Sequence, residues 1–236
     1  MRRILAALSL SLVACGFVVG GTPADAQNTT VVELYTSQGC SSCPPADKLL
    51  HDIAKRDNVI ALALHVDYWD YIGWKDEFAD PRFTERQKGY ARAAGARSIY
   101  TPQMVIGGLD HVVGTKPSEV STHLANHGRK APLVDVEGER QGNRISVRAE
   151  ASSAVRGGVA VYVVTYRPSS TVTIRRGENA GRTLDYANVV VSWTEARPWT
   201  GRGDYELAAT LPDAHPAVVI FQRPGQGEIV GAIELR

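Results

Sequence analysis

Cys40 and Cys43 stand two residues apart in a chain of 236 residues whose third cysteine, Cys15, lies in its first apolar stretch. Two thiols at that spacing can exchange electrons as a pair. One attacks a disulfide as its thiolate, and the other resolves the mixed disulfide that forms. The surrounding residues, Val31 to Asp47, read as an apolar strand, a polar turn containing Gly39, and then a helix. Cys40 therefore falls at or just before the first helical turn, where free backbone N–H groups stabilise a thiolate. Cys43 follows three residues later on the same side of the turn. Cys40 is the expected nucleophile, nearer the turn and more exposed, and Cys43 the resolving thiol. Pro44 and Pro45 suit early helical positions but remove local donors. An inert local disulfide is the structural alternative, although so short a loop closes little chain. A zinc site is a third reading, but neither His51 nor His65 forms a tight ligand pattern with the cysteines, and no metal is assigned.

The compartment bears on which reading holds. Met1-Arg2-Arg3 is a basic start, Ile4 to Gly16 is mostly apolar, and Ala24-Asp25-Ala26 fits a small-x-small cleavage site. Residues 1–26 are thus expected to be a signal peptide, and the mature protein periplasmic or secreted. Leu12-Val13-Ala14-Cys15 is a competing lipoprotein-type signal, so a lipid anchor in the bacterial envelope, and with it membrane association, depends on Cys15. After cleavage at Ala26 only Cys40 and Cys43 remain, and an oxidising compartment favours a disulfide between them. Loss of Arg2, Arg3 and Asp25 brings the nearly balanced charge to zero. No long basic run exists, which excludes a nucleic-acid partner on electrostatic grounds.

The elements that must position the pair come in two styles. Residues 28–128 alternate strand-like and helix-like stretches. Val31 to Tyr35, Val59 to Val66, Gln103 to Ile106 and Val112-Val113 read as strands; Ala46 to Arg56, Pro81 to Ala96 and Lys116 to Asn126 read as helices. The order is that of a small α/β domain with helices on both faces of a mixed sheet. Gly128 and Pro132 mark a boundary. Residues 131–236 hold roughly eight strand-like stretches punctuated by glycine and proline, as in an antiparallel sandwich or compact barrel. The period-two set Ile145, Val147 and Ala149 is one of them.

Two further segments attract attention. Thr101-Pro102 immediately precedes a strand: a cis peptide there would offer the Thr101 backbone to an extended partner, whereas a trans proline would simply begin the strand. His65 to Phe78 is rich in aromatic and charged residues. Tyr68, Trp69 and Trp74 supply area for a partner groove, or else pack the loop against the second half. His65 and Asp67 alone are too few for a metal.

The strand, the turn with Cys-Ser-Ser-Cys, the helix and the later Thr101-Pro102 together resemble the thioredoxin superfamily over residues 30–128. The resemblance implies a cis Pro102 beside the pair, a partner segment bound at Thr101 and Pro102, an exposed attacking Cys40 and a buried resolving Cys43. The sequence departs from that pattern at Ser41-Ser42 and Gly39, and lacks the usual buried aspartate. Glu33, offset by one residue, is the candidate proton acceptor, with a surface carboxylate as the plain alternative. A closer similarity, carried by ELYTSQGCSSCPPAD at 33–47, HVDYWDYIGWKDEFADPRFTERQKGY at 65–90, YTPQMVIGG at 100–108 and ENAGRTLDYANVV at 178–190, is to the domain of unknown function 1223 family of exported bacterial proteins. That resemblance brings no established substrate or reaction.

The expected fold class is α/β plus all-β: a thioredoxin-like N-terminal domain followed by an antiparallel β-sandwich or compact barrel. The expected function is thiol–disulfide exchange with protein or small-molecule partners through Cys40 and Cys43, with no cofactor, because the pair itself holds the electrons. The alternative is a non-enzymatic envelope binding protein with a structural disulfide.

Overall fold

The computed structural model describes residues 24–25 and 29–236. The signal-peptide expectation and Cys15 fall outside these residues, apart from Ala24 and Asp25. In chain order the strands of the first half are β1 (Ala24–Asp25), β2 (Thr30–Thr36), β3 (Val59–His65), β4 (Gln103–Ile106) and β5 (Asp110–Val113). The helices are α1 (Pro44–Ile53), α2 (Pro81–Ala93) and α3 (Pro117–His127), and a short 3-10 turn spans Asp70–Ile72. The second half supplies β6 (Val134–Gln141), β7 (Arg144–Ala151), β8 (Ala160–Thr173), β9 (Thr183–Glu195), β10 (Asp204–Thr210), β11 (Ala217–Gln222) and β12 (Ile229–Leu235).

The expected fold class is not what forms. The molecule is mostly β, built on one mixed eight-stranded sheet in the order β12-β11-β8-β9-β3-β2-β4-β5, with a second sheet β1-β6-β7-β10. The large sheet runs without interruption from strands of the first half to strands of the second. Its joint is a parallel pairing of β3 with β9, registered at Ala63 and Val189. Only three α-helices are found among the described residues.

The physical reason lies in β8 and β9. Pro168 and the polar Ser169-Ser170 break the apolar pattern of β8, so the sequence reads as two short strands. It is instead one strand of 14 residues paired antiparallel along β9. Asn188, opposite the proline region, takes a positive φ of 48° and donates from Nδ2 to the Ala61 carbonyl at 2.8 Å. That bond ties the hairpin to β3. β3 reads as a continuous apolar run because both faces and both edges are covered.

The helices take opposite faces. α1 and α3 cover one face through Leu50, Ile53, Val120 and Leu124, against Val32, Leu34 and Met104. α2 covers the other with Phe83 and Tyr90, against Val31, Tyr35 and Val105. Alternate residues of β2 therefore point to different layers, and both layers are buried. Glu33 points to the α2 side, where it meets Arg86. The second sheet packs Val136, Val147 and Tyr205 against Phe221 and Ile233 of the large sheet. No helix among the described residues is long and apolar enough to cross a membrane.

Candidate functional site

The turn between β2 and α1 is held by its own backbone. Cys40 N–H donates to the Ser37 carbonyl, Cys43 N–H to the Cys40 carbonyl, and the Ala46 and Asp47 N–H groups to the Cys43 carbonyl. Cys43 caps α1, and Pro44 and Pro45 take its first positions, where an N–H has no helical partner to lose. Cys40 and Cys43 are joined as a disulfide, with their Cα atoms 5.4 Å apart.

Both cysteines are fully buried, at 0 % exposure. The expected exposure of Cys40 is therefore not found. Ser41 and Ser42 at the tip of the turn are exposed, but the sulfurs beneath them are covered. The Thr101 hydroxyl donates to Cys40 Sγ at 3.3 Å, and the Trp69 indole N–H donates to Thr101 Oγ1 at 2.8 Å. The Thr101-Pro102 peptide is cis. Gly39 lies against Trp69 and Ile72, and a Cβ there would come within 3.0 Å of the Trp69 Cβ. The close approach of this aromatic loop accounts for glycine at the position before Cys40.

A second clamp comes from the loop between β8 and β9. Asn179 Nδ2 donates to the carbonyls of Gln38 and Cys40 at 2.9 and 3.0 Å. Glu178 accepts from the Ser41 N–H at 3.3 Å. From the aromatic segment, the Trp74 indole donates to Gln38 Oε1 at 2.7 Å, and Asp76 Oδ2 accepts from the Gln38 N–H at 2.8 Å.

Beneath the turn lies a buried polar cluster. Asp47, one helical turn beyond Cys43, accepts from the Thr36 hydroxyl at 2.7 Å through Oδ1. His65 Nδ1 is 2.7 Å from Asp76 Oδ2, and the Tyr186 and Phe78 rings pack edge-on against the imidazole. Asp47 Oδ2, His65 Nε2 and the Tyr186 hydroxyl are all buried without a hydrogen-bond partner. Burial pushes the Asp47 carboxyl up to about 7, and the Asp76 charge adds to this; His65 and the Thr36 hydroxyl restrain it. Burial alone would hold His65 down, but the Asp76 carboxylate raises it above the usual histidine range. Asp76 is lowered: burial opposes its charge, and His65 with the Gln38 and Phe78 N–H groups prevails.

Cys40, Cys43, Thr101, Pro102, Trp69 and Trp74 are thus gathered at one place. Tyr68 lies beside them, donating to Gln87, which in turn donates to the Tyr100 carbonyl. Glu33 is elsewhere. Its Oε1 accepts from Arg86 and Tyr90, and its Oε2 from Arg86 and Tyr35. Among the described residues no group of three or more metal-ligating side chains is found. Sequence reasoning missed Asp47, Gln38, Asp76, Asn179 and Tyr186. Asp47 had a signal, an acid one turn after Cys43 on a helix. Asn179 had none, because its role depends on a hairpin that returns from the far half of the chain.

Comparison with solved structures finds protein AGR_C_4864 from Agrobacterium tumefaciens, similar at 31% identity with a TM-score of 0.75, covering 87% of this chain and 93% of that one. HBP35 of Porphyromonas gingivalis is similar in fold alone, at 10% identity and a TM-score of 0.61, with 88% and 74% of the two chains covered. Comparison with curated proteins returns no match. The profile described as Protein of unknown function (DUF1223) matches residues 31–222, most of the chain, and the protein belongs to the DUF1223 family.

Proposed function

We propose that this protein is an exported thiol–disulfide oxidoreductase working through Cys40 and Cys43 on protein or small-molecule thiols and disulfides. The observation that carries the reading is the contact of the Thr101 hydroxyl with Cys40 Sγ at a strand-to-helix turn. That hydroxyl is placed to donate to a thiolate at Cys40, and a donor lowers the energy of the charged form. At the level of this site, though not of the whole fold, the arrangement is akin to that of the thioredoxin-like superfamily.

The chemistry balances without a cofactor. A partner thiolate attacks Cys40 Sγ, the Cys40–Cys43 bond breaks, and its electron pair leaves on Cys43, which takes up a proton. A second partner thiolate then attacks the partner sulfur and displaces Cys40 as its thiolate, giving the partner's disulfide and the protein's reduced pair. The reverse sequence reduces a partner disulfide, and the reduction potential decides the direction. Attack on Cys40 requires the Trp69 side of the turn to open, since the sulfur is covered in the closed form.

That same burial favours a second reading, a binding protein with a structural disulfide. Equilibrating the protein in defined thiol–disulfide buffers, then trapping free thiols and counting them by mass, separates the two. A reversible transition with rapid labelling of Cys40 supports exchange. A pair that stays oxidised until the fold is lost supports the structural disulfide. Mass analysis of the mature N-terminus tests export, and a lipid on Cys15 would place the protein on a membrane instead.

A further inference from the structure

Thiol exchange needs somewhere to put a proton. When Cys43 attacks a mixed disulfide it must lose one, and when it leaves as a thiolate it must regain one. The turn and α1 provide few donors near it because Pro44 and Pro45 have no N–H. The described core holds three buried acids, Glu33, Asp47 and Asp76. Glu33 is saturated by Arg86, Tyr35 and Tyr90. Asp76 is saturated by His65 and by the N–H groups of Gln38 and Phe78. Asp47 alone keeps a bare oxygen, Oδ2.

Its position suits the task. Asp47 lies in α1 four residues after Cys43, the capping residue, whose backbone is already helical, and side chains at that spacing are neighbours on one face. Helical Cβ atoms tilt toward the N-terminus, which is the Cys43 end of α1. Asp47 also forms part of the wall of a surface groove of about 470 Å3, with Pro44, Lys48, His51, Arg182 and Leu184. Asp47 is buried, and this groove, whose wall does not include Trp69, is the side on which a proton leaving it would reach solvent.

We propose that Asp47 stores the proton that Cys43 gives up and takes back during exchange, passing it to and from solvent through the groove beside α1, and this rests on the exchange reading of the cysteine pair. In the step that closes the disulfide, Cys43 Sγ attacks Cys40 Sγ of the mixed disulfide, and its proton passes to the Asp47 carboxylate. The Cys40–partner bond breaks, and the electron pair leaves on the partner sulfur. One negative charge stands on each side of that equation, first on Asp47 and then on the partner. In the opposite direction, protonated Asp47 supplies the proton to Cys43 as it leaves.

The groups facing Asp47 set its working range. Thr36 of β2 donates to its other oxygen, His65 of β3 lowers it, and Asp76 raises it. Tyr186 of β9 feels its charge in turn. Lys48, His51 and Asp52 of its own helix, Lys55 just beyond it, and Arg182 and Asp185 across the groove are the other charged or titratable groups of that wall. The outcome is a carboxyl that titrates near neutrality, as a proton carrier at neutral pH must.

The test loads the reduced protein at Cys40 with glutathione as a mixed disulfide and follows its release from about pH 5 to about pH 9. Asp47→Asn is expected to slow release on the order of 10- to 100-fold at neutral pH, with a profile that then follows the Cys43 thiol alone. Asp47→Glu should restore part of the rate. Release from Asp47→Asn at the wild-type rate and with the wild-type profile overturns the Asp47 assignment and leaves the exchange reading intact. Absence of release from the wild type and the variant alike refutes the exchange reading itself, and the Asp47 role falls with it. A second measurement needs no variant: carbon NMR of the Asp47 carboxyl in the wild type. Different titrations in the disulfide and dithiol forms support the coupling, and identical titrations overturn it.

Discussion

Burying a carboxyl with one bare oxygen costs stability whenever it is ionised, so Asp47 leaves a mark on folding as well as on exchange. Its native pKa of about 7 lies above the unfolded value of roughly 4. The native state holds the extra proton between those values. The stabilisation is complete below the unfolded pKa and is lost as pH rises through about 7. Asp47→Asn stays neutral throughout. Denaturant unfolding of the oxidised proteins should show equal pH dependence below about pH 4 and a gain for the variant of roughly 4 kcal/mol at pH 8. His65 and Asp76 contribute with opposite signs. The raised His65 adds stability that is lost at high pH, and the lowered Asp76 adds stability that is lost in acid. At this scale the sequence was partly legible. Cys40, Cys43, Thr101 and Trp69 do meet, because each lies at the end of a short local element. Glu33 reads as the acid near the sulfurs because it lies on the strand before them. The pleat turns it instead to the α2 layer, and the acid beneath the turn comes from the helix.

At the scale of elements, the turn carrying the disulfide is clamped from two sides, by the aromatic loop after β3 and by the loop between β8 and β9. Asn179 donates to two of its carbonyls, and removing that amide strands the Gln38 carbonyl, while the Cys40 carbonyl keeps only the Cys43 N–H. Asn179→Ala should let the turn open more often and speed reduction of the Cys40–Cys43 disulfide by dithiothreitol about 5- to 10-fold, a change corresponding to about 1 to 1.4 kcal/mol in the opening equilibrium. The rate is read by trapping thiols and counting them by mass; an unchanged rate would show that this clamp does not govern access. On the opposite layer, α2 is fastened by Arg86, which grips Glu33 through two bonds of 2.7 and 2.9 Å and lies 4.0 Å over the Trp193 ring of β9. Arg86→Met leaves Glu33 buried without its cation. It should lower unfolding free energy by about 3–5 kcal/mol in a urea titration. The individual strands were mostly visible as apolar runs, and β7 shows its alternation plainly. The length of β8 was hidden, because Pro168 and two serines read as a break.

For the whole molecule, what the sequence hid was the pairing of β3 with a strand that follows more than a hundred positions later. Periodicity reports which residues face a core, and it is silent on which edge joins which. The sheet makes the two halves depend on each other. A fragment of residues 28–128 would bare the β3 edge and the α1 surface that β9 covers, so it should not hold a folded monomer. Poor amide dispersion or aggregation in that fragment, against a well-dispersed spectrum of the full chain, checks this; a monomeric folded fragment would contradict it. The returning hairpin also has a consequence for biogenesis. A chain made from its N-terminus presents Cys40 and Cys43 long before Asn179 and Tyr186 have been synthesised. For most of its own synthesis the pair is unguarded, open to whichever oxidant or thiol arrives first. Only the later arrival of the β8–β9 hairpin seals it, so the chain's cysteines meet their surroundings once before the finished fold can regulate that encounter.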